Sequence, residues 1–310
     1  MFLEFYGLRE QPFGVTPDPR YLYWTPTHRE ALASLYYGIQ AGCGFMALIA
    51  KPGMGKTTLL YQLHDRLGAG ARTVFLTQTQ CDSREFIAYL LADLGLEGVN
   101  RDLVSLHTRL NEVLVAEMRA GKRFVLIIDE SQDLDESVLE TIRLLSNFET
   151  PQRKLLQIIL AGQPQLAEKL GRAGLAQLRQ RISIVSRLTP LNAEDTGLYI
   201  YYRLLIAGYR GGAIFTREAR DLIAEASDGI PRKVNNICFN ALSLGCAVGR
   251  KTIDSAIVRE VLADLDLSEM TLSSGSNLRA FPNDAVTTHS SGDGLGGDGS
   301  TVTGVPCIVS

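Results

Sequence analysis

A glycine-rich segment, residues 50–58 (AKPGMGKTT), has the residue types that bind phosphate groups. Gly53 and Gly55 allow backbone N–H groups to turn inward around phosphate oxygens. Lys56 supplies a cation for the β- and γ-phosphates of a nucleotide, and Thr57 supplies a hydroxyl that ligates magnesium. The first residue of the segment is alanine where the usual pattern has glycine. The segment predicts an ATP- and Mg²⁺-binding loop with these contact residues: Pro52, Gly53, Met54, Gly55, Lys56, Thr57 and Thr58.

Two adjacent acids, Asp129 and Glu130, follow the apolar run FVLII. We expect Asp129 to hold the magnesium ion and Glu130 to orient or deprotonate the attacking water. Acids after strands also serve as ordinary helix caps. The catalytic interpretation is favoured because Lys56 lies 73 residues upstream of Asp129 and phosphoryl transfer needs both functions.

Four further polar residues stand where such a site needs them. Gln163 follows an apolar run and is either a partner of the γ-phosphate or lytic water, or a surface loop residue. Arg179 and Arg181, in LRQRI, are candidates for an arginine finger directed at a neighbouring subunit, or else part of a solvated basic face. Arg232, in GIPR, begins a predicted helix and is expected to fold back onto the nucleotide.

Apolar runs that alternate with amphipathic stretches predict an α/β fold with a parallel sheet covered by helices on both faces. The expected strands are Phe45–Ala50, Thr73–Thr77, Phe124–Asp129, Leu155–Gly162 and Ile182–Leu188. The expected helices between them are Thr27–Gly38, Thr57–Leu67, Ser83–Leu94, Leu103–Arg119 and Ser137–Phe148.

Only helices are predicted after Pro190, which indicates a small helical lid over residues 191–267. Residues 1–190 form the expected nucleotide-binding core, and residues 268–310, rich in glycine, serine and threonine, are expected to be disordered. The first 24 residues carry seven aromatic side chains and include Pro17 and Pro19, which predicts a non-helical arm. Its rings either only pack on the domain or also wall a base-binding pocket.

Composition excludes several classes of protein. The 310 residues carry a formal net charge of −3, which argues against a wholly basic nucleic-acid binder. No stretch of 18 apolar residues predicts a membrane span, and the N-terminus lacks the pattern of a signal peptide. Five cysteines without CxxC spacing argue against zinc sites and disulfides. We expect a cytoplasmic protein, with peripheral contact to the inner membrane as an open alternative.

Several segments together resemble the general secretion pathway protein A family, the ExeA-like AAA+ ATPases. The matching segments are FYGLREQPFGVTPDPRYLY, THREALASLYYGI, GMGKTTLL, IIDESQDLDESVLETIRLLSNFET, ILAGQPQL, LRQRI and GIPRKVNNIC. The resemblance covers roughly residues 1–265 and implies a P-loop core of five parallel strands with a helical lid. It also implies that Gln163 is sensor 1, that Arg232 is sensor 2 and that His28 lies near the adenine, although a lone helical histidine is commonly just packed.

The resemblance implies a homo-oligomeric ATPase that serves secretion or envelope assembly through a protein partner at the inner membrane. Members of the family continue into a membrane span and a peptidoglycan-binding domain, neither of which is predicted in these 310 residues. The same module also resembles transposition-helper ATPases of the TniB type, so DNA handling is an alternative. Residues 172–233 contain ten Arg or Lys against six Asp or Glu, a modest basic excess. A non-hydrolysing nucleotide switch is a third possibility, which the intact set of Lys56, Asp129 and Glu130 disfavours.

Overall fold

The computed structural model describes residues 2–77, 80–96 and 102–274, with side chains described through residue 265. The chain divides into two compact units, residues 1–267 and 268–310. The last helix continues to Ser274. The prediction of disorder over residues 268–310 is wrong for residues 268–274, which belong to this helix, and residues 275–310 lie outside the described residues.

The first unit is built around one parallel sheet of five strands in the order β2–β3–β6–β1–β7. This confirms the predicted sheet. A separate two-stranded antiparallel hairpin, β4–β5, precedes β6. The strands are β1 Phe45–Ile49, β2 Ala71–Leu76, β3 Arg123–Ile128, β4 Glu149–Thr150, β5 Arg153–Lys154, β6 Leu156–Gly162 and β7 Ile182–Arg187.

Helices cover both faces of the sheet, and four more follow the last strand. They are α1 Phe2–Tyr6, α2 Pro26–Ala41, α3 Lys56–Leu67, α4 Ser83–Asp93, α5 Leu103–Arg119, α6 Glu136–Leu145, α7 Pro164–Leu170, α8 Ala176–Arg179, α9 Ala193–Ile206, α10 Arg217–Ala226, α11 Pro231–Ala247 and α12 Ser255–Ser274. Sequence reasoning missed the hairpin, α7 and α8, because elements of two to seven residues carry almost no periodicity.

Alternate residues of the central strands enter two separate apolar cores. Ala47 and Ile49 of β1 face the core built with α4, α5 and α6. Met46 and Leu48 of the same strand face the core built with α2 and α3. Burial on both faces explains why the central strands are continuously apolar.

Helices α9–α12 form the lid around a third apolar core. The first residues of the chain complete this core, because Tyr6, Leu8 and Phe13 are buried in it. The prediction of a non-helical arm is wrong for Phe2–Tyr6, which form α1. The helix packs through its rings, with Phe2 edge-on to Phe239 at 5.9 Å, and the helix-disfavouring prolines lie only downstream of it.

Candidate nucleotide-binding site

The glycine-rich segment connects the carboxyl end of β1 to the start of α3. Gly53 and Gly55 have φ angles of 79° and 84°, in the left-handed region that side chains disfavour. Lys56 opens α3 and is only 5% exposed. The first N–H groups of α3 therefore face the loop, and the helix dipole favours an anion there.

The two predicted acids follow β3 directly and meet the loop residues. The Thr57 hydroxyl donates to Asp129 Oδ2 at 2.6 Å. The Lys56 ammonium lies 3.4 Å from Glu130 Oε1 and forms an ion pair with it. Glu130 has a φ angle of 49°, so the chain turns sharply after Asp129 and directs the two carboxylates apart.

Two glutamine side chains hold the Glu130 carboxylate. Glu130 Oε2 accepts hydrogen bonds from Gln132 Nε2 at 2.8 Å and Gln163 Nε2 at 3.0 Å. Burial raises the pKa of Glu130, but these two amide donors and the charge of Lys56 outweigh it and leave the pKa below its ordinary value. The carboxylate is thus kept ionised, as a general base requires.

Sequence reasoning missed Gln132, which links the Glu130 turn to β6. Gln132 Oε1 accepts the backbone N–H of Gln163 at 3.0 Å. The link depends on Gly162, because a Cβ there would lie 2.8 Å from Gln132 Oε1. The only signal in the sequence was the position of Gln132 two residues after Glu130.

His28 lies under the glycine-rich loop and is 3% exposed. Its Nε2 donates to Met54 O at 3.1 Å, and its Nδ1 accepts the Thr25 hydroxyl at 2.6 Å. Burial lowers the pKa of His28, partly offset by the Met54 carbonyl, so the ring is neutral at pH 7. His28 is therefore both a packed residue and one that lines the cleft.

The lid closes over the loop at the start of α11. The Arg232 N–H donates to Gly53 O at 3.2 Å. A Cβ at Gly53 would lie 2.5 Å from the Arg232 Cβ, so only glycine permits this approach. The exposed Arg232 side chain lines the cleft between the loop and the lid.

The N-terminal arm forms another wall of this cleft, which encloses about 180 Å³. Arm residues 14–18 and 21–23 line it together with the glycine-rich loop. The buried Arg203 stacks on Tyr21 at 4.5 Å and donates to the Tyr199 hydroxyl at 2.9 Å. The Asn235 amide then donates to Gly14 O at 3.3 Å. The arm therefore does both things that the second interpretation predicted: it packs on the domain and it forms a wall of a pocket.

Arg179 and Arg181 lie away from the cleft and differ in their surroundings. Arg181 Nη1 donates to Arg143 O at 3.1 Å, to Asn147 Oδ1 at 2.7 Å and to the Ser146 hydroxyl. Arg179 is exposed, and its one hydrogen bond among the described residues joins Nη1 to Gly171 O at 3.1 Å. Arg179 is the more available of the two for a neighbouring subunit.

The structure brings together all the other predicted site residues. Asp129 joins the cleft through Thr57. The remaining residues line the cleft directly: His28, Pro52, Gly53, Met54, Gly55, Lys56, Thr57, Thr58, Glu130, Gln163 and Arg232. These residues fit a magnesium nucleotide, because a loop of N–H donors with the buried Lys56 suits phosphates and the paired Thr57 and Asp129 oxygens suit Mg²⁺.

The parallel sheet and this loop together form a P-loop fold of the AAA type. The family model described as "AAA domain" matches residues 39–170. General secretion pathway protein A of Aeromonas hydrophila is 39% identical over 254 residues, which are 82% of this chain and 46% of that protein. The chain is related to that protein, as its motifs predict, and spans about half of its length.

Solved structures agree on the fold. The ORC2 protein of Aeropyrum pernix superposes with a TM-score of 0.63 at 16% identity, covering 82% of this chain and 71% of that one. The RuvB Holliday junction branch migration motor of Thermotoga maritima gives 0.53 at 19% identity, covering 78% of this chain and 70% of that one. None of the helices in the described residues is long and apolar enough to cross a membrane.

Proposed function

We propose that this protein binds ATP with Mg²⁺ and hydrolyses it to ADP and phosphate. The observation that carries the proposal is the arrangement around Glu130, a half-buried carboxylate kept ionised by two amides and 3.4 Å from the phosphate-binding lysine. Bound magnesium would neutralise phosphate charge, held by Thr57 and Asp129. Lys56 then binds the β- and γ-phosphates, and Glu130 accepts a proton from the attacking water.

The remaining polar residues have supporting roles in this proposal. Gln163 contacts the γ-phosphate or the attacking water, since its amide already reaches Glu130. Arg232 reports the state of the phosphates to the lid through its backbone bond to Gly53. His28 supports the loop and the base-binding end of the cleft.

We propose a homo-oligomer, because the described cleft lacks a finger residue of its own. Its lining cations are Lys56, Arg203 and Arg232, and Arg203 is committed to the arm. Arg179 is the better candidate to enter a neighbouring subunit's cleft, because Arg181 is bound within its own subunit. Specific turnover should then rise with protein concentration.

Steady-state ATP turnover of two variants tests the chemistry. Lys56→Ala should abolish nucleotide binding, measured by calorimetry, because the loop loses the buried cation that is proposed to contact the β- and γ-phosphates. Glu130→Gln should bind ATP normally and lose turnover by about 10²–10⁴-fold, the usual contribution of a general base. A Glu130→Gln variant with parental turnover would refute the assigned base. If the wild type binds ATP but shows no turnover, the result would instead support a nucleotide switch.

The process served is secretion or cell-envelope assembly, through a protein partner at the inner membrane. The similarity to general secretion pathway protein A supports this assignment. A cytoplasmic position at the inner surface of that membrane fits such a role.

The second candidate process is DNA handling. It is favoured by exposed cations at the amino end of the sheet, including Arg72, Lys122 and Arg153. The ten cations of residues 172–233 favour it less, because several are buried or paired, such as Arg203 and Lys233. ATP turnover measured at low salt with and without duplex DNA separates the two candidates. Stimulation by DNA supports the second, and indifference to DNA supports the first.

A further inference from the structure

A basic pocket lies at the edge of the sheet opposite the nucleotide cleft. It is formed where β3 and β6 begin and where the β4–β5 hairpin projects, whereas the glycine-rich loop follows the end of β1. It encloses about 100 Å³. Four cations line it and no carboxylate does, among the residues that the structure describes: Lys122, Arg123, Arg153 and Lys154.

Two arginines are held in place at this pocket by single backbone contacts. Arg123 Nη2 donates to Gln40 O at 2.9 Å, and Arg153 Nη2 donates to Met118 O at 3.3 Å. Each guanidinium has five N–H donors, so both keep several for a ligand. Lys154 is instead committed to Glu149 and Ser146 O. Three of the four cations are therefore available.

A buried amide at the base of the pocket also points to an anion. Gln157 lines the pocket and is 3% exposed. Its Oε1 accepts the Gly44 N–H at 2.8 Å, which identifies the other amide atom as the Nε2 donor. The buried side-chain atoms without a hydrogen-bond partner in the described part of the chain lie elsewhere, so the Gln157 Nε2 donor is not fully enclosed. An anionic oxygen in the pocket can accept a hydrogen bond from it.

We propose that this pocket binds a phosphate group of a nucleic-acid backbone. Guanidinium groups match phosphate oxygens in a two-point geometry. Further exposed cations extend the site along the sheet edge: Arg72, which neighbours Phe124 in register, and Arg119 at the end of α5. Contacts of this kind hold nucleic acid without reading its sequence.

An anionic membrane is the less suitable partner. Binding to a lipid surface is strengthened by apolar side chains that enter the headgroup region, in addition to the attraction of basic side chains. The apolar residues that line the pocket, Met118, Phe124 and Leu155, are not exposed, and none of the large exposed apolar side chains lines it. The proposal rests on the second candidate process, DNA handling, and it does not depend on hydrolysis.

Fluorescence anisotropy of a labelled duplex DNA, without nucleotide, tests the site. The double variant Lys122→Gln, Arg153→Gln should bind at least tenfold more weakly at low salt. The slope of log K against log salt should fall by about 1.8, since each phosphate contact contributes about 0.9. Arg217→Gln, Lys233→Gln on the lid is the matched control, because it removes the same charge from exposed positions and should retain parental binding.

A third variant tests the pocket without removing a cation. Gln157→Glu keeps the acceptor for Gly44 and replaces the donor with an anion, so it should also weaken DNA binding at low salt. Equal circular dichroism spectra and melting temperatures verify that each variant is folded. Parental DNA binding by the pocket variants, or no DNA binding by the wild type, would overturn the proposal. Pocket-dependent binding to vesicles containing phosphatidylglycerol, with no binding to DNA, would overturn it in favour of a lipid headgroup.

Discussion

Replacing Gln132 with leucine removes the shorter of the two amide hydrogen bonds that hold the Glu130 carboxylate. It also leaves the Gln163 N–H without its acceptor at 3.0 Å. A hydrogen bond to a charged group contributes about 1.5–3 kcal/mol. The Glu130 side chain is 42% exposed, so water replaces part of the bond and the lower figure applies. A loss of about 1.4 kcal/mol in the transition state lowers kcat about tenfold.

The pH dependence distinguishes this positioning role from a merely structural one. The Gln132 amide is one of the groups that lower the pKa of Glu130, so its removal raises that pKa. Because the base must be ionised, the acidic limb of the kcat profile moves to higher pH. ATP affinity should be unchanged, since Gln132 does not line the cleft.

Turnover between pH 4 and pH 8, with calorimetric ATP binding, is the assay. Gln165→Leu is the matched control, because this glutamine is exposed on α7, and it should behave like the parent. Equal kcat and an unmoved acidic limb in Gln132→Leu would refute the role assigned to Gln132. A loss of ATP affinity as large as the loss of kcat would show that the substitution disturbs the glycine-rich loop instead.

Three further predictions concern the finger, the loop histidine and the metal. Arg179→Ala should lower turnover by about 10³-fold without affecting thermal stability. Arg181→Ala should instead lower the melting temperature, because the residues at the end of α6 lose their hydrogen bonds to this side chain. Since burial lowers the pKa of His28, the stability that its neutral ring provides is complete above pH 6.5 and is lost as pH falls through the folded-state pKa. Thr57→Val should raise the Mg²⁺ concentration needed for half-maximal turnover, and Thr57→Ser should restore it.

Each of these three predictions has its own control experiment. Mixing Arg179→Ala with Lys56→Ala should recover turnover at sites that combine an intact loop with an intact finger, and no recovery would count against a finger acting between subunits. Urea unfolding of His28→Gln should lack the acid-sensitive component seen in the parent, and identical pH dependence would exclude His28 as its source. An unchanged Mg²⁺ requirement in Thr57→Val would remove that hydroxyl from the metal site.

The sheet was predictable because its three central strands, β1, β3 and β6, are short apolar runs buried on both faces, a pattern that needs no knowledge of distant contacts. The same holds for Lys56 and Thr57, whose roles follow from their place between a strand and a helix. Gln132 was not predictable, because its function depends on the left-handed turn at Glu130 and on a glycine 30 residues later, at Gly162. Long-range backbone geometry of this kind leaves no local pattern.

The basic pocket was missed for a related reason. Its four cations come from two separate stretches, residues 122–123 and 153–154, and only the parallel register of β3 and β6 brings them to one edge. Residues 172–233, at the end of the core and in the lid, contain more cations than any stretch at the pocket. The structure buries or pairs several of them.

The lid core joins the two ends of the described chain, and this has a consequence for folding. Tyr6 donates its hydroxyl proton to Arg250 O at 3.0 Å, across 244 residues of sequence. A ribosome therefore releases Tyr6, Leu8 and Phe13 long before the helices that bury them exist. The sheet can form first, while these three side chains are still exposed to solvent or bound by a chaperone. An excised lid, residues 191–267, would lack three of its core side chains and should not fold alone.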